Sequence, residues 1–348
     1  AHAVAGSFFL VISSGYFVSI LLSGAVSSRL GHKWTIVISA VASGLMLSLI
    51  GFSATALSMR IGLFFLGYGA GLYLQSGLAT ISYLVPAAYL ARGMAVHELA
   101  PNIGFVTAPL LCGLMLQYFT WREGLQLLGV VLGCMGGIYA LLGSRNDLKA
   151  KRMDFSLIRG LLVIPQFWLM VVFFALAICA TLGIYAMLPL YLVVEHGMDP
   201  DSANKLVALS RASSVIMPLV AGWFGDRFGN SIVMMSVLLI AGMLTVPLGI
   251  FTGYSLVVFV VLQPMVAVCF FPSGFAVLSR IGGKEAQGSA VSLCIPLAFL
   301  FGGGVIPVAI GAVGDYFSLA SGFIGIGCMT IVAATAAFRL RWKKGFFP

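Results

Sequence analysis

Residues 222–230 read Gly-Trp-Phe-Gly-Asp-Arg-Phe-Gly-Asn, and residues 24–33 read Gly-Ala-Val-Ser-Ser-Arg-Leu-Gly-His-Lys. An offset of 198 residues superimposes three positions of these stretches: Gly24 on Gly222, Arg29 on Arg227, and Gly31 on Gly229. The same offset relates two further regions, pairing Gly104 with Gly302, Pro109 with Pro307, Gly113 with Gly311, and Tyr118-Phe119 with Tyr316-Phe317. Three separated regions at one offset indicate an internal duplication, so we expect two parallel halves.

Both stretches are short polar interruptions between long apolar runs. The chain is 61% hydrophobic and only 8% charged, with a mean hydropathy of +1.09, whereas soluble proteins are about 25% charged. The runs have the length of bilayer-spanning helices and lack the alternation of barrel strands. We therefore predict an all-α integral membrane protein with eleven spans, at residues 5–27, 34–52, 60–84, 93–117, 123–143, 163–193, 201–224, 231–250, 254–278, 287–313 and 317–339.

The offset also predicts how the spans are organised. The partner of the span at 163–193 would fall before residue 1, so we expect twelve helices in the full protein and eleven in this chain, which lacks the first. We predict an N-terminal bundle of five of its six helices at 1–143, a cytoplasmic linker at 144–162, and a six-helix C-terminal bundle at 163–348.

The basic residues indicate the topology. The formal net charge is +9, and fifteen of the nineteen Lys and Arg residues lie in one alternate set of loops and the C-terminal tail. This asymmetry predicts a cytoplasmic C-terminus, in a bacterial inner (plasma) membrane, rather than binding to nucleic acid.

The six cysteines lie in apolar runs without metal-ligand spacing, and the chain has no nucleotide-binding P-loop or catalytic-triad pattern. We expect no metal, no cofactor and no enzymatic activity, and we expect a monomer.

The duplicated stretches resemble the loop signature G-x-x-x-D-R-x-G-R-K of the major facilitator superfamily. The second copy, with Asp226 and Arg227, is the closer match; in the first copy Ser28 replaces the acidic residue, while Lys33 keeps the basic end. The resemblance implies two six-helix bundles that rock about a central solute site, with these loop charges changing partners during the motion.

A second resemblance concerns residues 104–113. The sequence from Gly104 through Pro109 to Gly113 is similar to the signature G-x-x-x-G-P-x-x-G-G of proton-driven antiporters in the same superfamily, although Ala108 and Cys112 replace two of its glycines. The resemblance implies export, but helix packing alone would also explain the pattern.

Arg211 is the leading candidate for binding the solute. It lies about eight residues into its predicted span, so at 1.5 Å per residue it is roughly 12 Å deep. An ionisable group at that depth is functional by default, and a guanidinium suits a carboxylate. A structural role for Arg211 is the alternative. We place it on one polar helical stripe with Asn204, Ser214, Pro218 and Gly222.

Glu98 is the candidate for proton coupling, with His97 beside it. A carboxylate within a span can titrate near neutral pH, as coupling to protons requires. A structural pair with Arg92 or another basic residue would explain Glu98 equally well. Weaker candidates for contacts with the solute are Tyr16, Tyr73, Gln75, Tyr185 and Gln263.

From these features we expect a secondary active transporter of a small anionic organic solute, coupled to protons or another ion. Two alternatives remain open: a proton/drug antiporter, and a membrane receptor of the same fold that does not transport.

Overall fold

A computed structural model of the chain describes residues 2–86, 90–143, 155–281 and 287–344, in which the regular structure is helical and no β-strand occurs. The first five helices are α1 (His2–Leu30), α2 (His32–Gly51), α3 (Ala56–Leu84), α4 (Leu90–Tyr118) and α5 (Trp121–Leu142). The remaining helices are α6 (Phe155–Leu162), α7 (Pro165–Ile178), α8 (Ile184–Val194), α9 (Pro200–Arg211), α10 (Met217–Phe228), α11 (Asn230–Leu248), α12 (Gly253–Ala267), α13 (Phe270–Leu278), α14 (Gln287–Phe299), α15 (Ile306–Tyr316) and α16 (Leu319–Lys344).

Eleven helical stretches within the described ranges are long and apolar enough to cross a membrane, which confirms the predicted all-α membrane fold. Their ends agree closely with the hydropathy. The span predicted at 163–193 is Pro165–Val194, and the span predicted at 287–313 is Ala290–Tyr316.

Four spans contain interruptions that the hydropathy did not indicate, one of them the turn at Val268–Cys269 that separates α12 from α13. Cys179–Gly183 and Leu300–Val305 are π-helical, and Ala212–Val215 is a 3₁₀ turn. Apolar runs report only length and composition, whereas such breaks depend on local hydrogen bonding. Of the linker predicted at 144–162, residues 144–154 lie outside the described residues, and residues 155–162 form the short helix α6.

The contacts divide the chain into two compact units. One, here called the N-terminal unit, comprises Leu10–Pro101 and Leu111–Asp154. The other, the C-terminal unit, comprises Ala1–Phe9, Asn102–Leu110 and Phe155–Pro348. The boundaries of the bundles predicted at 1–143 and 163–348 come from the sequence repeat, whereas those of the two units come from contacts. The bundle boundaries stay a prediction.

The internal packing of the two units repeats at the offset found in the sequence. Helix α2 packs on α5 in one unit, and α11 packs on α16 in the other. A Cβ atom added to Gly44 would lie 2.6 Å from the carbonyl oxygen of Gly129, and one added to Gly242 would lie 3.0 Å from that of Gly327. These two pairs are 198 residues apart. Glycine at such crossings allows the close backbone approach on which helix packing in membranes depends.

Gly31 and Gly229 have a separate structural role. Each lies between two helices with a positive φ, 81° for Gly31 and 89° for Gly229. Residues with a Cβ rarely adopt this conformation, so the turn itself requires glycine. By contrast, a Cβ atom on Gly222, within α10, would meet nothing within 4 Å. The three motif glycines are therefore not equivalent.

We predict that Gly229→Ala lowers the free energy of unfolding by about 1 to 3 kcal/mol, because alanine is strained at this φ. Gly222→Ala is the matched control. It lies in a helix with open space around it, so the change should be neutral or stabilising by up to about 1 kcal/mol. Thermal unfolding in detergent micelles measures both. Equal midpoints for the two variants would contradict the assignment.

Candidate functional site

Arg211 is the last residue of α9, and its side chain is only 2% exposed. The helix changes pitch immediately afterwards, in the 3₁₀ turn Ala212–Val215. Pro218 explains this break, because proline lacks an N–H group and its ring clashes with the carbonyl group four residues earlier. The buried cation therefore lies at the C-terminal end of α9, where the helix dipole favours positive charge.

Two aromatic rings cover one side of the Arg211 guanidinium. Its Cζ atom lies 4.4 Å from the ring centroid of Tyr185 and 5.0 Å from that of Phe105. The two centroids are 5.6 Å apart, and the Tyr185 hydroxyl donates a 2.7 Å hydrogen bond to the Phe105 carbonyl oxygen. Rings on opposite faces would be separated by nearly the sum of the first two distances, so both lie on the same side. Cation–π attraction stabilises the guanidinium there but does not neutralise it.

Arg211 has no counter-ion among the residues that the structure describes. No carboxylate in those ranges pairs with it, and its buried Nε atom lacks a hydrogen-bond partner there. The ion pair between Lys205 and Asp201 on the same helix is, in contrast, well exposed. A guanidinium buried in a span without an acidic partner is unfavourable by several kcal/mol unless a ligand or water completes its environment.

A small cavity adjoins Arg211 within the C-terminal unit. Its volume is about 10 Å³, close to the minimum that holds one water molecule. Its polar lining comes from Tyr185, Ser210, Arg211 and Gln263, and its remaining lining residues are Ala180, Ile184, Leu188, Leu248, Val260 and Pro264. In this conformation the cavity accepts one oxygen-sized group and no whole organic solute.

Gln263, a weak candidate from sequence, lines this cavity and is 2% exposed. Its amide nitrogen donates to the carbonyl oxygen of Ala180 at 2.9 Å and to Thr245 Oγ1 at 3.3 Å. Ala180 belongs to the π-helical segment, where the regular hydrogen-bond ladder is disturbed. Gln263 therefore supplies a donor to a backbone carbonyl at the break.

The other candidates on the α9–α10 stripe differ in burial. Ser214 is fully buried, and its hydroxyl oxygen has no hydrogen-bond partner in the part of the chain that the structure describes. Asn204 is partly buried on α9. The prediction of one continuous stripe assumed an unbroken helix, and the 3₁₀ turn between Arg211 and Gly222 changes that geometry.

The candidates in the N-terminal unit make contacts within that unit. Gln75 accepts a 2.8 Å hydrogen bond from Ser23, and the rings of Tyr73 and His97 stack with centroids 5.8 Å apart. Tyr16 lies on α1 where that helix crosses α3. The Glu98 side chain lies outside what the structure describes, so its proposed role stays a prediction.

The loop charges of the two motif copies differ in environment. Lys33 is 8% exposed and donates a 2.8 Å hydrogen bond to the carbonyl oxygen of Gly143, just after α5. Arg29, Asp226 and Arg227 are exposed, and the Arg227 guanidinium lies over the Trp223 ring. No ion pair involves Asp226 or Arg227 within the described ranges. The changes of partner predicted for these charges remain a prediction.

Phe105 was not among the site residues predicted from the sequence. It follows Gly104 directly in the antiporter-like segment, whose first part, residues 104–110, belongs to the C-terminal unit. A Cβ atom on Gly104 would meet nothing within 4 Å. The glycine and proline pattern of that segment predicts the shape of the backbone. It says nothing about Phe105, which in the sequence is an ordinary aromatic residue.

Comparison with known proteins gives matches along the whole chain. The family model of the Major Facilitator Superfamily matches residues 1–213 and 195–346. Membrane sensor protein UhpC of Salmonella typhimurium is 25% identical over 327 residues, which cover 82% of this chain and 71% of that protein. The nitrite extrusion protein of Bacillus subtilis is 23% identical over 214 residues, covering 62% of this chain and 54% of that protein.

Solved structures share the fold at low sequence identity. A D-xylose-proton symporter superimposes with a TM-score of 0.80 at 15% identity, covering 100% of this chain and 88% of that one. The nucleoside transporter NupG gives a TM-score of 0.73 at 18% identity, covering 99% of this chain and 91% of that one. At these identities the similarity establishes the fold alone.

We predict that Tyr185→Phe lowers the free energy of unfolding by about 0.6 to 1.5 kcal/mol, because the Phe105 carbonyl loses its donor while the ring remains. Tyr254→Phe is the control, since Tyr254 is 93% exposed and removal of its hydroxyl should change nothing measurable. Denaturant titration in micelles measures both variants. An unchanged Tyr185→Phe protein would contradict the hydrogen bond.

Proposed function

Because the chain belongs to the Major Facilitator Superfamily, we propose that it is a secondary transporter that carries a small anionic organic solute across the membrane. Arg211 is the anchor for the anion. The solute moves by alternating access, in which the two bundles expose one site to each side of the membrane in turn.

The observation that carries this proposal is the buried guanidinium without a counter-ion among the described residues. The rings of Phe105 and Tyr185 cover one side of this guanidinium, and Arg211 lines a cavity together with Gln263. A carboxylate bound there would neutralise the charge and accept the unused N–H groups of Arg211, with the geometry that guanidinium groups favour. The similarity to a nitrite extrusion protein gives further support, since nitrite is a small anion.

We further propose that transport is coupled to protons. Glu98 is the group that would bind and release the proton, with His97 as its neighbour on α4. A carboxylate that titrates during the cycle can link an inward proton gradient to solute movement. Under this proposal the protein acts in the inner membrane of a bacterium, with a cytoplasmic C-terminus as the basic loops indicate.

We predict that Arg211→Gln lowers the flux of small carboxylates by at least about tenfold, because charge-assisted hydrogen bonds are lost. Arg211→Lys should retain part of the flux, since it keeps the charge but not the planar fork. Lys205→Gln is the control, because it removes an exposed cation from the same helix. Uptake of radiolabelled carboxylates into proteoliposomes measures all three. Full flux in Arg211→Gln would exclude an anionic solute held at this position.

We predict that the proteoliposomes stop accumulating solute when a protonophore collapses the pH gradient. Exchange of labelled for unlabelled solute at equal concentrations should continue, because it needs no net energy input. Both are measured in the same proteoliposomes, with Glu98→Gln as the matched variant. Accumulation that is unaffected by the protonophore would remove the proton from the proposal.

A receptor that binds solute without transporting it is the second candidate. The specific observation in its favour is the similarity to membrane sensor proteins named UhpC over most of the chain. The replacement of the motif carboxylate by Ser28 is consistent with this role. Stoichiometric solute binding with no counterflow would select the receptor. The drug-antiporter alternative receives no comparable support, because the cavity beside Arg211 is small and partly polar.

A further inference from the structure

A groove opens in the N-terminal unit between the end of α2 and the start of α3. Its volume is about 450 Å³, within the range of about 300 to 1,000 Å³ that is typical of binding sites. Most of its lining is apolar, and two of the lining residues on α3, Ile61 and Phe65, are 52% and 49% exposed. Ser58, one turn before Ile61, also lines the groove and is exposed. The start of α3 therefore presents a face that no described residue of this unit covers.

The sequence repeat shows what covers the corresponding face in the C-terminal unit. At the offset of 198 residues, Ser58 corresponds to Leu256 and Phe65 corresponds to Gln263. Leu256 and Gln263 are each only 2% exposed. Both are covered by the span Pro165–Val194, because Leu256 shares an apolar cluster with side chains of that span and Gln263 donates a hydrogen bond to its backbone. A transmembrane helix thus fills the place that is an open groove in the N-terminal unit.

The two units also pack alike at this end, so the correspondence holds in the structure as well as in the sequence. A Cβ atom added to Gly51 would lie 2.7 Å from the carbonyl oxygen of Arg122, and one added to Gly249 would meet the carbonyl oxygen of Ala320. The two pairs are 198 residues apart. At the same offset, the counterpart of Pro165–Val194 falls before residue 1.

Arg122 adds a positive charge at the mouth of the groove. Its guanidinium donates a 3.3 Å hydrogen bond to the carbonyl oxygen of Ser53, which lines the groove, and it lies over the ring of Trp121. No ion pair involves Arg122 within the described ranges. The neighbouring Glu123 carboxylate accepts hydrogen bonds from the backbone and the hydroxyl group of Thr120 and so serves the helix cap. The mouth of the groove therefore favours a negatively charged group.

The C-terminal unit has a carboxylate at the corresponding place. Glu195, just after α8, accepts hydrogen bonds from the backbone N–H groups of Leu319 and Ala320 at the start of α16. Trp121 and Arg122, at the start of α5, are the counterparts of these two residues. The first N–H groups of a helix have no partner within it and favour negative charge. A carboxylate beside α5 would bind these N–H groups and also the Arg122 side chain, which Ala320 does not offer.

We propose that the groove binds a transmembrane helix that precedes residue 1 in the full protein, and that this helix has an acidic residue at its C-terminal end. It packs on α2 and α3 as Pro165–Val194 packs on α11 and α12. Its carboxylate binds at the start of α5, beside Arg122. A helix that precedes α1 ends on the side of the membrane where α1, α3 and α5 begin, so its C-terminal end is on the correct side. The inference does not depend on the proposed solute.

The test uses the chain in lipid nanodiscs and a synthetic peptide of residues 165–196 as the probe. This peptide is the counterpart of the proposed helix and includes Glu195. A photo-activated benzophenone side chain replaces Leu188, which lines the same small cavity as Leu248 and Val260. Mass spectrometry locates the crosslinks. We expect them within residues 46–65, at a yield at least about fivefold above that of a scrambled peptide, because specific packing rather than apolar character drives helix association in lipid.

Variants of the groove residues separate binding in the groove from adsorption elsewhere. Ser58→Trp fills the groove and should reduce the crosslink yield at least about fivefold, because the helix can no longer pack closely. Leu57→Trp is the matched control, since Leu57 is exposed on the same helix and does not line the groove. Both variants change exposed residues at the start of α3, so both should fold.

A double-mutant cycle tests the acidic end of the helix. Arg122→Ala in the chain and Glu195→Gln in the peptide should each weaken peptide binding about tenfold, because both remove a charged partner. The two changes together should weaken it no more than either alone. Crosslink yield as a function of peptide concentration gives each Kd. Arg122→Ala should fold, because alanine occupies the corresponding position 320 in the C-terminal unit.

A crosslink yield no higher than that of the scrambled peptide would overturn the inference and assign the groove to lipid chains. A dimer of the chain in native mass spectrometry that Ser58→Trp abolishes and Leu57→Trp retains would also overturn it, because a second copy would then fill the groove. Peptide binding that is unchanged by both Arg122→Ala and Glu195→Gln would contradict the acidic end of the helix.

Discussion

Backbone hydrogen bonding within the hydrocarbon region constrains every part of this structure. A bare N–H or C=O group has no partner in lipid, so an unbroken helix is the simplest solution. Where helices end or change pitch, side chains take over. Gln263 donates to Ala180 at a π-helical segment, Tyr191 donates to Leu248 at the end of α11, and Lys33 donates to Gly143 after α5. At each of these three places a side chain supplies a hydrogen bond to a backbone carbonyl group at a break or a helix end.

The same breaks create the candidate site. Arg211 ends α9 where Pro218 forces a change of pitch, and the two rings beside it and the helix C-terminus stabilise its charge in part. Desolvation of a guanidinium costs several kcal/mol, whereas one cation–π contact contributes about 0.5 to 2 kcal/mol. The cost of burying the charge therefore exceeds the stabilisation from the rings. An anion that binds only during transport would supply the remainder, and its release would restore an uncompensated site.

The sequence predicted the fold well and the site only in part. Apolar runs of span length are nearly sufficient to locate membrane helices, and the 198-residue offset recurs in packing pairs such as Gly44–Gly129 and Gly242–Gly327. The motif contains Gly31 and Gly229, but their positive φ is a backbone property that the sequence alone does not show. Arg211 was identifiable because charge is rare in spans. Phe105 and the amide orientation of Gln263 were not, because they follow from contacts between helices distant in sequence.

In the proposed transport cycle, the carboxylate of the solute lies against the Arg211 guanidinium. Solid-state NMR measures that proximity in membranes directly, with ¹⁵N-labelled arginine and a carboxyl-¹³C form of the carboxylate that the protein transports fastest. We predict dipolar dephasing of the bound carboxyl carbon by the guanidinium nitrogens, and its loss in the Arg211→Gln protein at saturating carboxylate. Bound carboxylate without dephasing, or dephasing that persists in Arg211→Gln, would contradict this placement.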